Sequence, residues 1–339
     1  MDPKNTSALE PPSGAESNFV NPYTLQPALI IVSVLTLSIC TVSIAARSYA
    51  RAVILKQFDL DDCALLVAGI LITAFTALQL VAGNNGQGEH QRNITQADIA
   101  KLLFYSNIIE VIYGPTIFFS KYVVLRQIES IFLNHRRQHL AYKVVWILIW
   151  VNLAFYAAIS VCFLFACVPR EKIWNTQVEG HCIDAQSSVV TTSAINVVSD
   201  LSIFIIPMLG IWKLQIPLAK KFGAVTVFAI GVLAIISSVI RLYYSVISIQ
   251  DEDPSWAIGP VGYWALAEFT TVILAACLPW FPRLISWLRN RDPESQYNSS
   301  SGAVTKTPRR QVIQNEEHEL RDTTSTTALR VDTYEDRYL

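Results

Sequence analysis

Seven apolar stretches divide the first 290 residues of the chain, and each is long enough to form a helix that crosses a bilayer. A hydrocarbon core about 30 Å thick needs roughly 20 apolar residues of helix to span it. Because backbone groups in lipid must hydrogen-bond within the protein, the pattern predicts an all-α membrane protein, a seven-transmembrane helix bundle. The predicted spans are Pro27–Ala46, Cys63–Gly83, Leu102–Leu125, Val144–Cys167, Val189–Trp212, Gly223–Ile249 and Val261–Ile285.

The distribution of Lys and Arg predicts the orientation of the bundle. Basic residues concentrate in alternate connections, and the positive-inside rule places those connections in the cytosol. The amino terminus is therefore expected outside and the carboxyl terminus inside. The basic residues on the predicted inner side are Arg47, Arg51, Lys56, Arg126, Arg136, Arg137, Lys143, Lys213, Lys220, Lys221, Arg289 and Arg291.

Three segments follow from this pattern: a short extracellular segment (1–26), the transmembrane domain (27–288) and a cytosolic tail (289–339). The tail is polar and has no apolar period, so we expect it to be disordered. Hydrophobic residues make up 52% of the chain and charged residues 16%, against about 25% charged residues in soluble domains. The lipid bilayer is thus an expected partner, and the net charge of −1 argues against nucleic acid.

Four residues on the predicted outer side are candidates for covalent modification. Asn5 and Asn93 each open an Asn-x-Ser/Thr sequon and are expected to be glycosylated there, whereas the sequon at Asn298 falls inside. Cys167 and Cys182 face the oxidising side, which favours a disulfide, although two free thiols remain an alternative. The spacing of His, Cys and carboxylate residues matches no metal-ligand frame, so no metal or other cofactor is expected.

Charged side chains inside the predicted spans carry the candidate chemistry. Glu110, Asp200, Arg241 and Glu268 are costly in lipid, and such residues normally face the bundle interior and pair with one another. Asn196 lies four residues before Asp200 on the same helix face. These residues predict either a small-molecule pocket or acid–base site, or a buried network that only fixes how the helices pack. The residues expected to extend the set are Tyr113, Asn152, Asn196, Ser193 and Tyr244.

A second group of charges lies at the predicted cytosolic boundary. Asp59, Asp61 and Asp62 are expected to cap the start of the second helix, where the helix dipole favours carboxylates; a partner-binding surface is the alternative. Lys121 lies toward the cytosolic end of the predicted third span. We expect its long side chain to extend to the membrane interface or to pair with Asp61 or Asp62.

A series of short motifs follows the chain in order over roughly residues 25–290. The motifs are Arg47-x-Tyr49-x-Arg51, Asp61-Asp62, Gly86-x-Gly88-x-His90, Lys121-x-x-x-Leu125, Cys167-x-Pro169 with Trp174 and Cys182, Asn196-x-x-x-Asp200 with Pro207, Arg241, Asp251 with Trp256, and Glu268 with Pro279 and Pro282. This series resembles the fungal seven-transmembrane rhodopsin-domain family of filamentous ascomycetes. That family includes receptor-like surface proteins and members encoded in toxin gene clusters of the satratoxin type.

The resemblance leaves three functional hypotheses. Retinal attaches through a lysine Schiff base in the last helix, and the predicted span Val261–Ile285 contains no lysine. The first hypothesis is therefore a receptor-like sensor without retinal, in the plasma membrane, that binds a small molecule or surface cue and acts through a cytosolic signalling partner. The alternatives are a membrane-embedded, cyclase-like enzyme and an accessory or transport protein of a secondary-metabolite gene cluster. The residues favour a non-enzymatic role, and none is assigned as catalytic.

Overall fold

The computed structural model describes residue 18 and residues 22–132, 139–175, 177–211, 218–251 and 253–289. Asn5 and the predicted tail from residue 290 onward lie outside these ranges. Within them the chain forms eight α-helices and a two-stranded antiparallel ribbon. The elements are α1 (Gln26–Tyr49), α2 (Leu60–Gly83), α3 (Gln96–Phe132), α4 (His139–Leu164), β1 (Cys167–Val168), β2 (His181–Cys182), α5 (Ala185–Ile211), α6 (Leu218–Gln250), α7 (Pro254–Cys277) and α8 (Phe281–Arg289).

Helices α1 to α7 are long and apolar enough to cross a bilayer, which confirms the predicted all-α membrane architecture. Large apolar side chains remain exposed on their outer faces, as expected for helices that face lipid. Examples are Ile31, Ile70, Trp150 and Val198.

The limits of the seventh span differ from the prediction. Helix α7 begins at Pro254, directly after Asp253, and ends at Cys277. Proline suits the first turn of a helix because the amide it lacks has no intrahelical partner there. A 3₁₀ turn over Leu278–Trp280, which contains Pro279, then separates α7 from α8. The predicted span Val261–Ile285 was therefore shifted toward the carboxyl end.

Helices α3 and α7 form the centre of the bundle. Helix α3 packs against α2, α4, α5 and α7, and α7 packs against α1, α2, α3 and α6. Three aromatic rings fill the space between α2, α3 and α7: Phe75 lies 5.0 Å from Phe269 and 6.4 Å from Tyr113 between ring centroids. Lys121 on α3 and Glu268 on α7 are thus held away from lipid.

One end of the bundle, here called the disulfide end, carries the ribbon and the α2–α3 connection. Gly86 and Gly88 adopt positive φ angles, which glycine reaches without strain. The turn lets the Gly88 amide donate to the Ser255 carbonyl (2.9 Å) while its carbonyl accepts from the Leu25 amide (3.0 Å). The Gly86-x-Gly88 motif therefore joins the starts of α1 and α7.

His90 continues the same connection toward α7. Its ring stacks on Trp256 at a centroid distance of 4.5 Å, and its Nδ1 lies 2.8 Å from Asp253 Oδ2. Asp253 also accepts from the Gln91 amide at 2.9 Å. The residue before α7 thus holds the loop that follows α2.

A disulfide joins the two strands of the ribbon. The Sγ atoms of Cys167 and Cys182 are bonded, and these two residues are also paired across the ribbon. Cys167 lies in β1, beyond the end of α4, rather than at the end of the fourth span as predicted.

Removing this disulfide is expected to destabilise the folded chain by about 3 kcal/mol. The bond closes a loop of 15 residues and therefore lowers the conformational entropy of the unfolded chain. The measurement is the unfolding midpoint of the Cys167→Ser/Cys182→Ser variant in detergent micelles. Cys162→Ser is the matched control, since the Cys162 thiol is free and exposed. Equal midpoints for the two variants would contradict the prediction.

Candidate functional site

Polar side chains from five helices meet in the middle of the bundle, and we call them the central network. Each of helices α3 to α7 contributes at least one member, and all are buried. The central network consists of Lys121, Tyr156, Asn196, Asp200, Ser238, Arg241 and Glu268.

Lys121 and Asp200 form the first ion pair of the central network. Lys121 Nζ lies 2.7 Å from Asp200 Oδ1, and both side chains are at most 5% exposed. The same ammonium donates to Asn196 Oδ1 (2.7 Å) and to the Tyr156 hydroxyl (3.2 Å). Ser238 donates to the other oxygen of Asp200. This pair is buried, neutral overall and well supplied with hydrogen bonds, as a charge in lipid requires.

Asn196 links this pair to a second one. Its Oδ1 accepts from Lys121 and from Tyr156 (2.7 Å), while its Nδ2 donates to Glu268 Oε1 (2.7 Å). The predicted closeness of Asn196 and Asp200 on one face of α5 is confirmed, with Nδ2 3.4 Å from Asp200 Oδ2. A single amide thus connects the charges of α3 and α5 to those of α6 and α7.

Arg241 and Glu268 form the second ion pair, which keeps free hydrogen-bonding capacity. Arg241 Nε lies 3.4 Å from Glu268 Oε2, but no hydrogen bond forms between them. Among the described residues, Arg241 Nε and Nη2, Glu268 Oε2 and the Tyr113 hydroxyl have no hydrogen-bond partner. The guanidinium carbon lies 4.4 Å from the centroid of the Tyr113 ring. These groups are buried together where α3, α6 and α7 meet.

Glu110 lies on α3, about one helical turn before Tyr113. It is partly buried, and the spacing of three residues places it on the same side of α3 as Tyr113. The structure therefore places all six predicted residues, Glu110, Tyr113, Asn196, Asp200, Arg241 and Glu268, around one region of the bundle.

Lys121 departs from its predicted environment. It was expected at the membrane interface or beside Asp61 or Asp62, and that prediction was wrong, because Lys121 is 1% exposed and pairs with Asp200. Asp61 instead binds Arg126 at 3.1 Å. Helix α3 continues to Phe132, so Lys121 lies deeper in the bundle than the predicted span implied.

Two members of the central network were missed in the sequence. Tyr156 lies in the apolar segment that forms α4, where a tyrosine also suits lipid contact or core packing, and Ser238 follows Ser237 in α6. Two other expected members lie apart from the network. Asn152 accepts from Ser199 at 2.7 Å, and Ser193 contacts Ser245 at 3.1 Å between their hydroxyl oxygens.

A second polar group, the basic-end cluster, lies where α1 and α3 end and α2 begins. Its members are largely buried except Asp59, whose side chain is 64% exposed. Arg47 is 1% exposed and donates through Nη1 to Gln127 (2.6 Å) and to the Ala276 carbonyl (2.7 Å). The Nε atoms of Arg47 and Arg51 lie 3.5 Å and 3.2 Å from the carboxylate of Asp62. The basic-end cluster consists of Arg47, Arg51, Asp59, Asp62, Gln127, Trp280 and the Ala276 carbonyl.

Asp59 and Asp62, members of this cluster, cap the start of α2, as the sequence predicted. Asp59 directly precedes α2, and its backbone amide donates to Asp62 Oδ2 at 3.1 Å. The carboxylates thus cap the helix and also neutralise two buried arginines. Arg51 adds a 2.5 Å contact to Asp59 and lies 5.0 Å from the centroid of the Trp280 ring.

The connections outside the spans hold two acids with shifted pKa values. Burial raises the pKa of the Glu89 carboxyl in the α2–α3 connection, against a lowering by a hydrogen bond with Thr24. Hydrogen bonds from the Ser187 side chain and amide lower the pKa of Asp184, which precedes α5. Asp184 therefore stays ionised where the α5 dipole favours a negative charge.

The remaining candidates are placed as follows. Asn93 lies in a 3₁₀ turn at the disulfide end, and its side-chain oxygen accepts from the Asn18 amide at 3.1 Å. Among the residues that the structure describes, no cluster of three His, Cys, Asp or Glu side chains could hold a metal ion.

Comparison with known proteins identifies relatives of the chain. The sequence profile of the fungal rhodopsin domain matches residues 46–287. A "SAT4 family membrane protein" of Emericella nidulans is 34% identical over 209 residues, 62% of this chain and 53% of that protein. This chain therefore aligns with only about half the length of that relative.

Two further relatives carry names that refer to gene clusters. "Fugralins biosynthesis cluster protein 2" of Gibberella zeae is 28% identical over 82% of this chain and 70% of its own length. "Satratoxin biosynthesis SC1 cluster protein 4" of Stachybotrys chartarum is 26% identical over 42% of this chain and 51% of its own length. No solved structure matches the chain.

Proposed function

Because this chain belongs to the fungal rhodopsin domain family, we propose that it is a receptor-like sensor that binds a small molecule inside its helix bundle without retinal. One observation carries the proposal. Arg241, Glu268 and Tyr113 are buried together, and each has an atom without a hydrogen-bond partner in the part of the chain that the structure describes. Buried polar groups are normally satisfied, so such a group of donors and acceptors favours a ligand-binding role.

The central network supplies a route from such a site to the rest of the bundle. A ligand that bonds to Glu268 Oε2 or Arg241 Nη2 changes the second ion pair. Glu268 is held by Asn196, which also binds Lys121. A ligand can shift a conformational equilibrium only by binding one state better than the other, and this shared amide makes the two ion pairs depend on each other.

The test is ligand-dependent stability of the full chain in lipid nanodiscs. Fractions of a metabolite extract from the native host are added, and the unfolding temperature is measured. A fraction that stabilises the native chain should fail to stabilise Arg241→Gln, because a ligand at 100 times its dissociation constant adds about 2.7 kcal/mol only where it binds. Lys101→Gln is the control, since Lys101 forms an exposed pair with Asp98.

The bound compound is then recovered and analysed by mass spectrometry. A sensor returns its ligand chemically unchanged, so an unchanged compound supports the proposal. If no fraction stabilises the native chain, or if Arg241→Gln responds equally, the proposed binding site is wrong.

A second candidate function is a role in secondary metabolism, either as an enzyme or as an accessory protein. The names of the Gibberella and Stachybotrys relatives, which refer to biosynthesis clusters, favour it. In that case the compound recovered from the nanodiscs is converted, or a strain that carries Glu268→Gln accumulates the same precursor as a strain that lacks the chain. An unchanged metabolite profile in both strains excludes this candidate.

We further propose that the disulfide end faces outward and that the basic-end cluster lies at the cytosolic face of the plasma membrane, where a signalling partner binds. The Cys167–Cys182 bond needs an oxidising compartment. Arg47, Arg51 and Arg126 lie at the opposite end, as the positive-inside rule requires of the cytosolic side.

This orientation predicts which sequons carry glycans. Endoglycosidase treatment is expected to increase the electrophoretic mobility of the native chain, and the shift should shrink for Asn93→Gln or Asn5→Gln. Asn298→Gln is the matched control and should behave like the native chain, because its sequon lies on the predicted cytosolic side. Loss of the shift in the Asn298 variant alone would reverse the orientation.

A further inference from the structure

We infer that the ligand is an uncharged molecule that presents a carbonyl oxygen beside a hydroxyl group, bound between α3, α6 and α7. The inference deepens the proposed function and rests on it, because it assigns a ligand class to the same site. The hydrogen-bonding atoms, the local charges and the aromatic neighbours each restrict that class.

The free hydrogen-bonding atoms include both donors and an acceptor. Within the described part of the chain, Arg241 Nη2 is a donor and Glu268 Oε2 an acceptor without a partner. The Tyr113 hydroxyl, also without a partner, can act as either. A carbonyl oxygen can accept from Arg241 and Tyr113, and a neighbouring hydroxyl can donate to Glu268. A ligand with both groups satisfies the three side chains together.

The charges around the site disfavour an anionic ligand. The central network holds two cations and two anions, Lys121 with Asp200 and Arg241 with Glu268. Glu110 adds a further acid nearby. A carboxylate ligand would bring an extra negative charge into a buried region whose positive charges are already matched, and uncompensated charge is strongly disfavoured there.

A cationic ligand fits no better. An ammonium group offers only donors, so it cannot accept from Arg241 Nη2, and it would be repelled by the guanidinium. The Tyr113 ring already binds that guanidinium, with 4.4 Å between the guanidinium carbon and the ring centroid. The ligand class that remains is neutral and carries both a hydrogen-bond donor and a hydrogen-bond acceptor.

The carbon skeleton of the ligand is expected to be apolar. Phe75, Tyr113 and Phe269 form one aromatic group, with centroid distances of 5.0 to 6.4 Å, and each is at most 2% exposed. The polar atoms of the site thus lie next to an apolar surface. Hydroxylated ketones and lactones combine these features.

The experiment compares three photoreactive probes on the full-length chain in nanodiscs. The probes share one alkyl diazirine skeleton and end in a β-hydroxy ketone, a carboxylate or a primary ammonium group. The hydroxy ketone is expected to label peptides of α3, α6 or α7 at least about tenfold more than either charged probe, because a buried unmatched charge is costly. Labelled peptides are identified by mass spectrometry.

Tyr113→Phe separates binding from folding. The variant removes a buried hydroxyl that has no partner among the described residues, so the unfolding temperature should stay unchanged or rise by up to about 4 °C. Labelling by the hydroxy ketone should fall about fivefold, the effect of one lost hydrogen bond. Tyr105→Phe, on the same helix, is the matched control and should change neither quantity.

The possible outcomes test the ligand class and the proposed function separately. Preferential labelling of the bundle by the carboxylate or the ammonium probe overturns the ligand class, while the proposed binding in the bundle stands. Equal labelling of Tyr113→Phe and the native chain also overturns it. If no probe labels the bundle, the ligand class is wrong, and the stabilisation experiment with metabolite fractions decides the proposed function independently.

Discussion

Replacing Lys121 by methionine is expected to destabilise the folded bundle by about 3–5 kcal/mol. The substitution keeps an unbranched side chain of similar length but removes the ammonium that neutralises Asp200 at 2.7 Å. Asp200 would then be a buried charge without a cation beside it, and Asn196 and Tyr156 would lose a shared donor. The loss should exceed that of an exposed pair severalfold, because water cannot replace the missing partner.

The measurement is the free energy of unfolding of the variant in mixed micelles, with the loss of helicity as the signal for unfolding. Lys101→Met is the control on the same helix, since the Lys101 side chain is 57% exposed in its pair with Asp98, and such pairs contribute roughly 0–1 kcal/mol. The double variant Lys121→Met/Asp200→Leu should recover part of the loss, because no charge is left unmatched. A loss below about 1 kcal/mol for Lys121→Met would show that the Lys121–Asp200 pair does not stabilise the fold.

Replacing Asp62 by asparagine is the second substitution with a large expected effect, about 3 kcal/mol. Asp62 is 0% exposed, and its carboxylate faces Arg47 and Arg51 while accepting from the Asp59 amide. The amide keeps the shape of the side chain but removes the negative charge. Arg51 retains Asp59, whereas Arg47 retains only the uncharged Gln127 and Ala276 oxygens among its described hydrogen-bond partners.

Asp61→Asn is the matched control for this substitution. Asp61 adjoins Asp62 in the sequence, but its partner Arg126 is 29% exposed and also binds Glu129, so the expected loss is about 1 kcal/mol. Both variants are compared with the native chain by unfolding midpoint in the same micelles. If Asp61→Asn is the more destabilising of the two, the basic-end cluster does not stabilise the fold in the way described.

The sequence predicts the number of spans because a bilayer imposes a minimum apolar length, and that length can be counted. It also identifies three of the four charged members of the central network, since Asp200, Arg241 and Glu268 interrupt apolar segments, but it assigns Lys121 to the wrong environment. The depth of a residue within the bundle is harder to predict. The third span was expected to end at Leu125, yet α3 runs to Phe132, which places Lys121 about 16 Å before the helix end at 1.5 Å per residue.

Which charged side chains pair with one another could not be predicted, for a different reason. Which charges meet depends on how each helix is rotated about its axis, and several rotations bury the same apolar residues. Tyr156 illustrates this difficulty, because an aromatic residue in an apolar helix is equally suited to lipid contact and to core packing. Ser238 illustrates the same difficulty. Its hydroxyl also donates to the Ala234 carbonyl of its own helix, so it needs no partner on another helix.

Helices α3 and α7 each hold residues of both polar groups, and this has a mechanical consequence. Lys121 and Gln127 lie about 9 Å apart along α3, and Glu268 and Ala276 about 12 Å apart along α7, at 1.5 Å per residue. Sliding of α3 past α7 would break bonds at two levels at once, so these helices behave as a rigid axis. Among the described residues, α5 and α6 have members only in the central network. A tilt of α5 and α6 about that axis therefore rearranges bonds of the central network and the contact between Ser199 and Asn152 of α4, while the basic-end cluster stays intact.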